Sequence, residues 1–315
     1  MSISLSIAMI LHTAHADTKD STLPVAASNF DQARMVGQIE SEHLVECSGI
    51  DTSTVDSDLY WAVNDGGHGP FLYALGGNGR DRGRVRIAGA RNRDWEGLES
   101  FIWQGRPMML IADFGDNDRR RDRYTLYLVE EPCVSGERLP SSSVATVFGR
   151  IDFSYPDGKH DAEGVAVDVA ANEILVLTKR DDPPLLFALP LAMTASDQPA
   201  AARRVASVDQ IPPPSDEDRL HPYGAYRSQP TALDLSADGL QMVVLTYKHA
   251  YLYRRSPGDS WASIVGMRPA QIQLPLPQST YLLRQREAIC FSRDNLSLLV
   301  SSEGSRAGWF ILTVK

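Results

Sequence analysis

From residue 34 onward the apolar residues fall in short runs broken by Gly, Asp, Asn and Pro, and helical periodicity is nearly absent. Some runs alternate with polar residues, as Val85-Arg86-Ile87 does, which suits a half-exposed strand. Others are continuous: Ile174-Leu175-Val176-Leu177 and Met242-Val243-Val244-Leu245 need burial on both faces. The runs follow a recurring phrase: a polar residue, then Gly or Ala, then an aliphatic residue, then a short strand and a second, more apolar one. The instances are Ser48-Gly49-Ile50, Glu96-Gly97-Leu98, Glu163-Gly164-Val165, Thr231-Ala232-Leu233 and Glu287-Ala288-Ile289. The apolar strands after them are 59–63, 108–112, 174–178, 242–246 and 298–301. A strand-only unit that recurs every roughly 50 to 70 residues is the signature of a β-propeller.

The pattern predicts an all-β, five-bladed propeller of four antiparallel strands per blade, with a six-bladed ring as the alternative. The first blade is 48–52, 59–63, 71–74 and 84–88; the second is 97–101, 108–112, 124–129 and 145–153. The third is 164–168, 174–178, 185–188 and 204–208; the fourth is 232–235, 242–246, 251–253 and 270–274. The last blade, 288–291, 298–301 and 309–314, lacks a fourth strand, and the unpartnered run 34–39 supplies it and closes the ring. The propeller therefore covers 34–315.

Composition narrows the function. The net charge of −9, from 31 basic and 40 acidic residues, argues against nucleic acid as a partner and fits a protein that holds a cation. No apolar run is long enough to span a bilayer. The 3 cysteines, Cys47, Cys133 and Cys290, form no CxxC and no zinc spacing, and read as small buried hydrophobes. Residues 3–11 are apolar and Ala14-His15-Ala16 resembles a cleavage site, so 1–16 reads as a signal peptide, although no Lys or Arg precedes the apolar stretch. That predicts a periplasmic or secreted protein, with 17–33 as a flexible lead-in. A monomer is expected.

Antiparallel order puts the start of each first strand and the end of each second strand at one face. Ser48, Glu96, Glu163, Thr231 and Glu287 then meet at the channel mouth. Converging carboxylates repel unless they bind protons or a cation, and an oxygen-only set suits Ca²⁺. The bland alternative is that these side chains only hydrogen-bond strand backbones. Loops carrying Asp65, Asp113 to Asn117, Asp181 and Glu303 share the face, as do Glu46, Asp94 and Arg227. Asp65, Asp116, Asp161 or His160 could orient water or take a proton. Arg91, Arg93, Lys179, Arg180, Lys248 and Arg286 would favour a small anionic substrate. Two classes of function are therefore carried: a calcium-dependent hydrolase, of phosphoester or lactone/ester type, and a non-catalytic propeller whose calcium is structural and whose face binds a ligand or protein.

Residues 45–304 resemble a family of exported bacterial propeller proteins without an assigned activity. The segments that carry the resemblance are Trp61-Ala62-Val63-Asn64-Asp65-Gly66-Gly67, Asp94-Trp95-Glu96-Gly97-Leu98, Ala112-Asp113-Phe114-Gly115-Asp116-Asn117 and Glu130-Glu131-Pro132. The inner ring is also similar to that of the calcium-activated soluble nucleotidases (apyrases), whose central calcium is held by a Ser, Glu, Glu, Ser, Glu series at the starts of the inner strands. The resemblance implies calcium ligation by Ser48, Glu96, Glu163, Thr231 and Glu287, with Thr231 where a Ser is usual. Outside the ring the sequences depart.

Overall fold

The computed structural model describes residues 30–193, 198–275 and 285–315. The predicted signal peptide and residues 17–29 of the predicted lead-in lie outside them.

The chain is nearly all sheet. One antiparallel meander runs Ala162–Asp168, Glu173–Thr178, Leu185–Pro190 and Arg203–Ser207. Another runs Pro230–Leu235, Gln241–Thr246, His249–Arg254 and Ala270–Gln273. A third, Ala288–Phe291, Ser297–Ser301 and Gly308–Thr313, takes its outermost strand, Arg34–Gln38, from the other end of the chain. Two more meanders, Cys47–Thr52 to Asp81–Ala88 and Trp95–Trp103 to Val144–Ser154, join in one sheet. Their outermost strands pair in parallel, Arg86, Ile87 and Ala88 opposite Val144, Ala145 and Thr146. This rim junction was not predicted. It leaves no open edge between the two meanders.

The first strands of the meanders touch one another in chain order, and Ala288–Phe291 returns to Cys47–Thr52. The fold is a β-propeller whose core lies between facing sheets. Leu110, Phe114 and Phe153 pack with Val165, Val176 and Phe187 across one such interface, and Leu175, Leu177, Val244 and Tyr253 pack across the next. The continuous second strands are fully buried, as both-face packing requires: Leu59–Asn64 has no exposed position. Cys47 and Cys290 are buried, but Cys133 is exposed, because it follows an outer strand at the rim.

The recurring phrase has a structural cause. In four of the first strands the pairing register slips across the phrase's leading residue: Cys47 to Gly49, Trp95 to Gly97, Ala162 to Gly164 and Pro230 to Ala232. The residue skipped is Ser48, Glu96, Glu163 or Thr231. Each occupies a β-bulge, which takes a side chain out of the strand's alternation and re-aims it. The small residue that follows is forced by closeness. A Cβ on Gly49 would stand 2.8 Å from the Cα of Gly97, and one on Gly164 would stand 2.7 Å from the Cβ of Leu233. Neighbouring first strands approach too closely at the axis for a larger residue there.

A candidate metal centre at the channel mouth

The two hydroxyls of the phrase stitch first strands together. Ser48 Oγ donates to the Trp95 carbonyl at 2.7 Å, and Thr231 Oγ1 donates to the Arg286 carbonyl at 2.6 Å. Each acceptor immediately precedes a glutamate of the series, so each hydroxyl fixes the backbone that presents Glu96 or Glu287.

The glutamates converge. Glu96, Glu163 and Glu287 are all buried and lie within electrostatic reach of one another. Asp65, Asp94 and Glu96 offer carboxylate oxygens within 4.8 Å of one another. Three of the segments that carry the family resemblance build this corner. Gly66 and Gly115 lie against the Asp94 carboxylate: a Cβ on Gly115 would fall 2.5 Å from both Asp94 Oδ2 and Glu96 Oε1, and one on Gly66 would collide with Asp94 Oδ1. At both places carboxylates occupy the space a side chain would take, so any larger residue would have to displace them.

Burial is the main force on these groups, and like charge adds to it. Burial, then the neighbouring Asp65, pushes Asp94 up to about 7. Burial, then Glu163, Asp65 and Glu287, holds Glu96 well above the usual carboxylate range. Burial raises Glu163 to about 8 against the pull of Lys179, and burial with Glu287 raises Glu303 to about 9. Asp65 with Asp94, and Glu287 with Glu303, are hydrogen-bonded carboxyl pairs, and such a bond needs a proton on one partner. A cation could take the place of those protons.

One cation is built in. Lys179 Nζ lies 2.6 Å from Glu163 Oε1 and 3.6 Å from Glu287 Oε1, over the face of Tyr247. Burial alone would lower its pKa; Glu163 and Glu287 outweigh burial and raise it. Tyr247 donates to Glu287 Oε1 at 2.9 Å. Glu163 Oε2 remains buried without a hydrogen-bond partner.

The remaining predicted residues are placed elsewhere or are otherwise engaged. Asp116 anchors its own loop, accepting from the backbones of Arg120 and Arg121 and from the Tyr124 hydroxyl. Asp161 accepts from the Asp116 backbone and from Arg180 Nε at 2.7 Å. His160 is held between Asp181 at 2.8 Å and Asp157 at 3.2 Å, against the rings of Tyr155 and Phe187. Lys248 pairs with Asp218, and Arg286 is buried, donating to the Lys248 and Pro275 carbonyls. Arg91 and Arg93 are exposed. The Arg93 carbonyl abuts Gly66. Asp65 is half-buried beside the glutamates. Lys179, expected to face a substrate, is enclosed among the carboxylates instead.

Asp94, Tyr247 and Glu303 belong to this centre and were absent from the predicted ligand set. Asp94 stands two residues before Glu96, and Glu303 lies in the loop after a second strand; both positions were legible as facing the mouth. A groove of about 690 Å³ lined by Glu130, Pro132, Cys133 and Phe148 lies on the outer rim and includes none of these groups.

No protein-family model matches the chain, and no curated protein matches it. Among solved structures it is similar to a chain of a nidogen/laminin complex, at 12% identity and TM-score 0.43, covering 82% of this chain and 73% of that one. It is also similar to the β-propeller domain of Cps50 (Swd1) from Myceliophteria thermophila, at 12% identity and TM-score 0.41, covering 90% of this chain and 100% of that one.

Proposed function

We propose that the chain is a five-bladed, exported propeller that holds a calcium ion at the mouth of its channel. One observation carries this reading: Asp65, Asp94 and Glu96 offer oxygens within 4.8 Å of one another, in a pocket from which Gly66 and Gly115 exclude side chains. The donor set fits, since it is all hard oxygen and more acidic than Lys179 alone can neutralise. Asp65, Asp94 and Glu96 would hold the ion, with the unpartnered Glu163 Oε2 as a further ligand. Ser48 and Thr231 brace the strands, and Lys179 fixes Glu163 beside Glu287. When bound, the cation neutralises the cluster and can polarise a phosphoryl or carbonyl oxygen.

A second reading, hydrolysis of a small anionic ester, is favoured by the half-buried Asp65 and the exposed Arg91 and Arg93 at the mouth. Arg93 would hold the anion and Asp65 would orient a water. Calorimetric titration of chelator-stripped protein with calcium tests the first reading. Asp94→Asn and Glu96→Gln should each weaken binding tenfold or more, and unchanged affinity in both would exclude the site. A screen of phosphoesters and lactones, with and without chelator, tests the second. Calcium binding without any turnover leaves the non-catalytic propeller.

A further inference from the structure

We propose a second divalent-cation site inside the channel, held by Asp51, Glu99 and Asp234. These residues stand three positions after Ser48, Glu96 and Thr231, the leading residues of three phrases. At about 3.3 Å per residue that places them roughly 10 Å deeper than the mouth. The site goes beyond the proposed function and uses none of its ligands.

The three carboxylates are 5%, 4% and 3% exposed, and an oxygen from each lies within 4.8 Å of the others. Oxygens on opposite sides of a calcium ion, each at about 2.3–2.6 Å, are separated by about that distance. Two of the three are held in position by the first strands, whose inner edges have no strand partner. Asp51 accepts from the Ser100 backbone of the next strand and, at 2.6 Å, from Thr52 N. Asp234 Oδ2 accepts from the Phe291 backbone at 2.6 Å, again on the next strand. Glu99 is one methylene longer and differs. It meets Asp234 side chain to side chain, and its Oε2 is buried with no partner.

Nothing nearby neutralises the group by contact. Arg293 is the cation whose charge reaches all three. It gives its Nε to the Ser53 carbonyl at 3.2 Å and an Nη to the Ser100 carbonyl at 3.5 Å. Among the described residues no salt bridge reaches Asp51, Glu99 or Asp234. Burial raises all three carboxyls, Asp234 to about 7. A buried, unpaired carboxylate is costly, and an oxygen-only triad relieves that cost best by taking up a hard divalent ion. In the two remaining phrases the equivalent positions are Ala166 and Cys290, which lie between the strand of Asp234 and those of Asp51 and Glu99, so Asp234 faces the other two acids across the channel.

The test counts calcium ions on the full chain after chelator stripping, by calorimetry and native mass spectrometry. The wild type should take up two. Glu99→Gln keeps the shape and removes the charge; it should take up one and keep the mouth site. Glu96→Gln should lose the mouth ion and keep this one. If only this site exists, the wild type binds one ion that Glu99→Gln abolishes and Glu96→Gln does not, which upholds this proposal and overturns the mouth. A Glu99→Gln protein with the wild-type count overturns it. Should Glu99→Gln not fold, wild-type crystals grown in calcium decide: an anomalous peak among Asp51, Glu99 and Asp234 supports the site, and its absence rejects it.

Discussion

The mouth cluster and the deeper triad differ in what opposes their charge. At the mouth, Lys179 sits between Glu163 and Glu287, Tyr247 donates to Glu287, and Asp65 is open to water. In the deeper triad the direct partners are backbone N–H groups of Thr52, Ser100 and Phe291, and the nearest cation is occupied with carbonyls. An ammonium neutralises charge; a backbone dipole only orients it. The mouth is therefore half-compensated in the metal-free protein, while the triad depends on protons or an ion. The same inner-strand edges produce both clusters, one at the bulge and one three residues along.

Removing the internal cation should break the comparison most severely. Lys179→Met leaves Glu163 buried without its partner and Glu287 without its cation, and breaking a buried pair in this way costs about 3–5 kcal/mol. Urea unfolding should show that loss in chelator and a smaller one in calcium; equal losses in both would place the metal away from Glu163. Gly115→Ala should come next. The added methyl meets Asp94 and Glu96, so overpacking should cost about 1–3 kcal/mol and calcium affinity should fall at least tenfold.

Proton linkage distinguishes the metal-free state. Asp94, Glu163 and Glu303 titrate near 7, 8 and 9 when folded, above their ordinary values of 3.8 and 4.5. A carboxyl raised by folding stabilises the fold below its unfolded value, and that contribution is lost as pH rises through the folded one. In chelator the thermal midpoint should therefore fall progressively from pH 4 to pH 9, and calcium should flatten the fall above pH 7. A metal-free midpoint that rises over this range would show the carboxylates to be compensated already. The smallest effect is expected at the braces: Ser48→Ala should cost about 1 kcal/mol, one buried hydrogen bond, with little change in calcium affinity. A large loss of affinity there would make Ser48 a ligand.

Much of the fold was legible because the phrase is a physical necessity. Gly49, Gly97 and Gly164 mark the close approach of first strands, and the apolar run after each marks a strand with no free face. The closing strand was visible because Arg34–Gln38 has no neighbour in sequence to pair with. The parallel rim junction was not visible, since it depends on how far Val144–Ser154 extends past its own meander. At the site, repeat position found Glu96, Glu163 and Glu287. It placed Asp94 on the right face but left it out of the ligand set, because that carboxylate arrives from before the bulge and not from the repeat position. It passed over Asp51, Glu99 and Asp234 because only three phrases carry an acid there. The basic residues are engaged by acids: Lys248 pairs with Asp218, and Arg180 with Asp161 just before the start of the neighbouring strand.

The most direct test is thermal unfolding of the full chain at pH 8, in chelator and in millimolar calcium. A channel whose carboxylates require a cation gives a midpoint several degrees higher in calcium, rising with calcium concentration. Identical midpoints in the two solutions would contradict it.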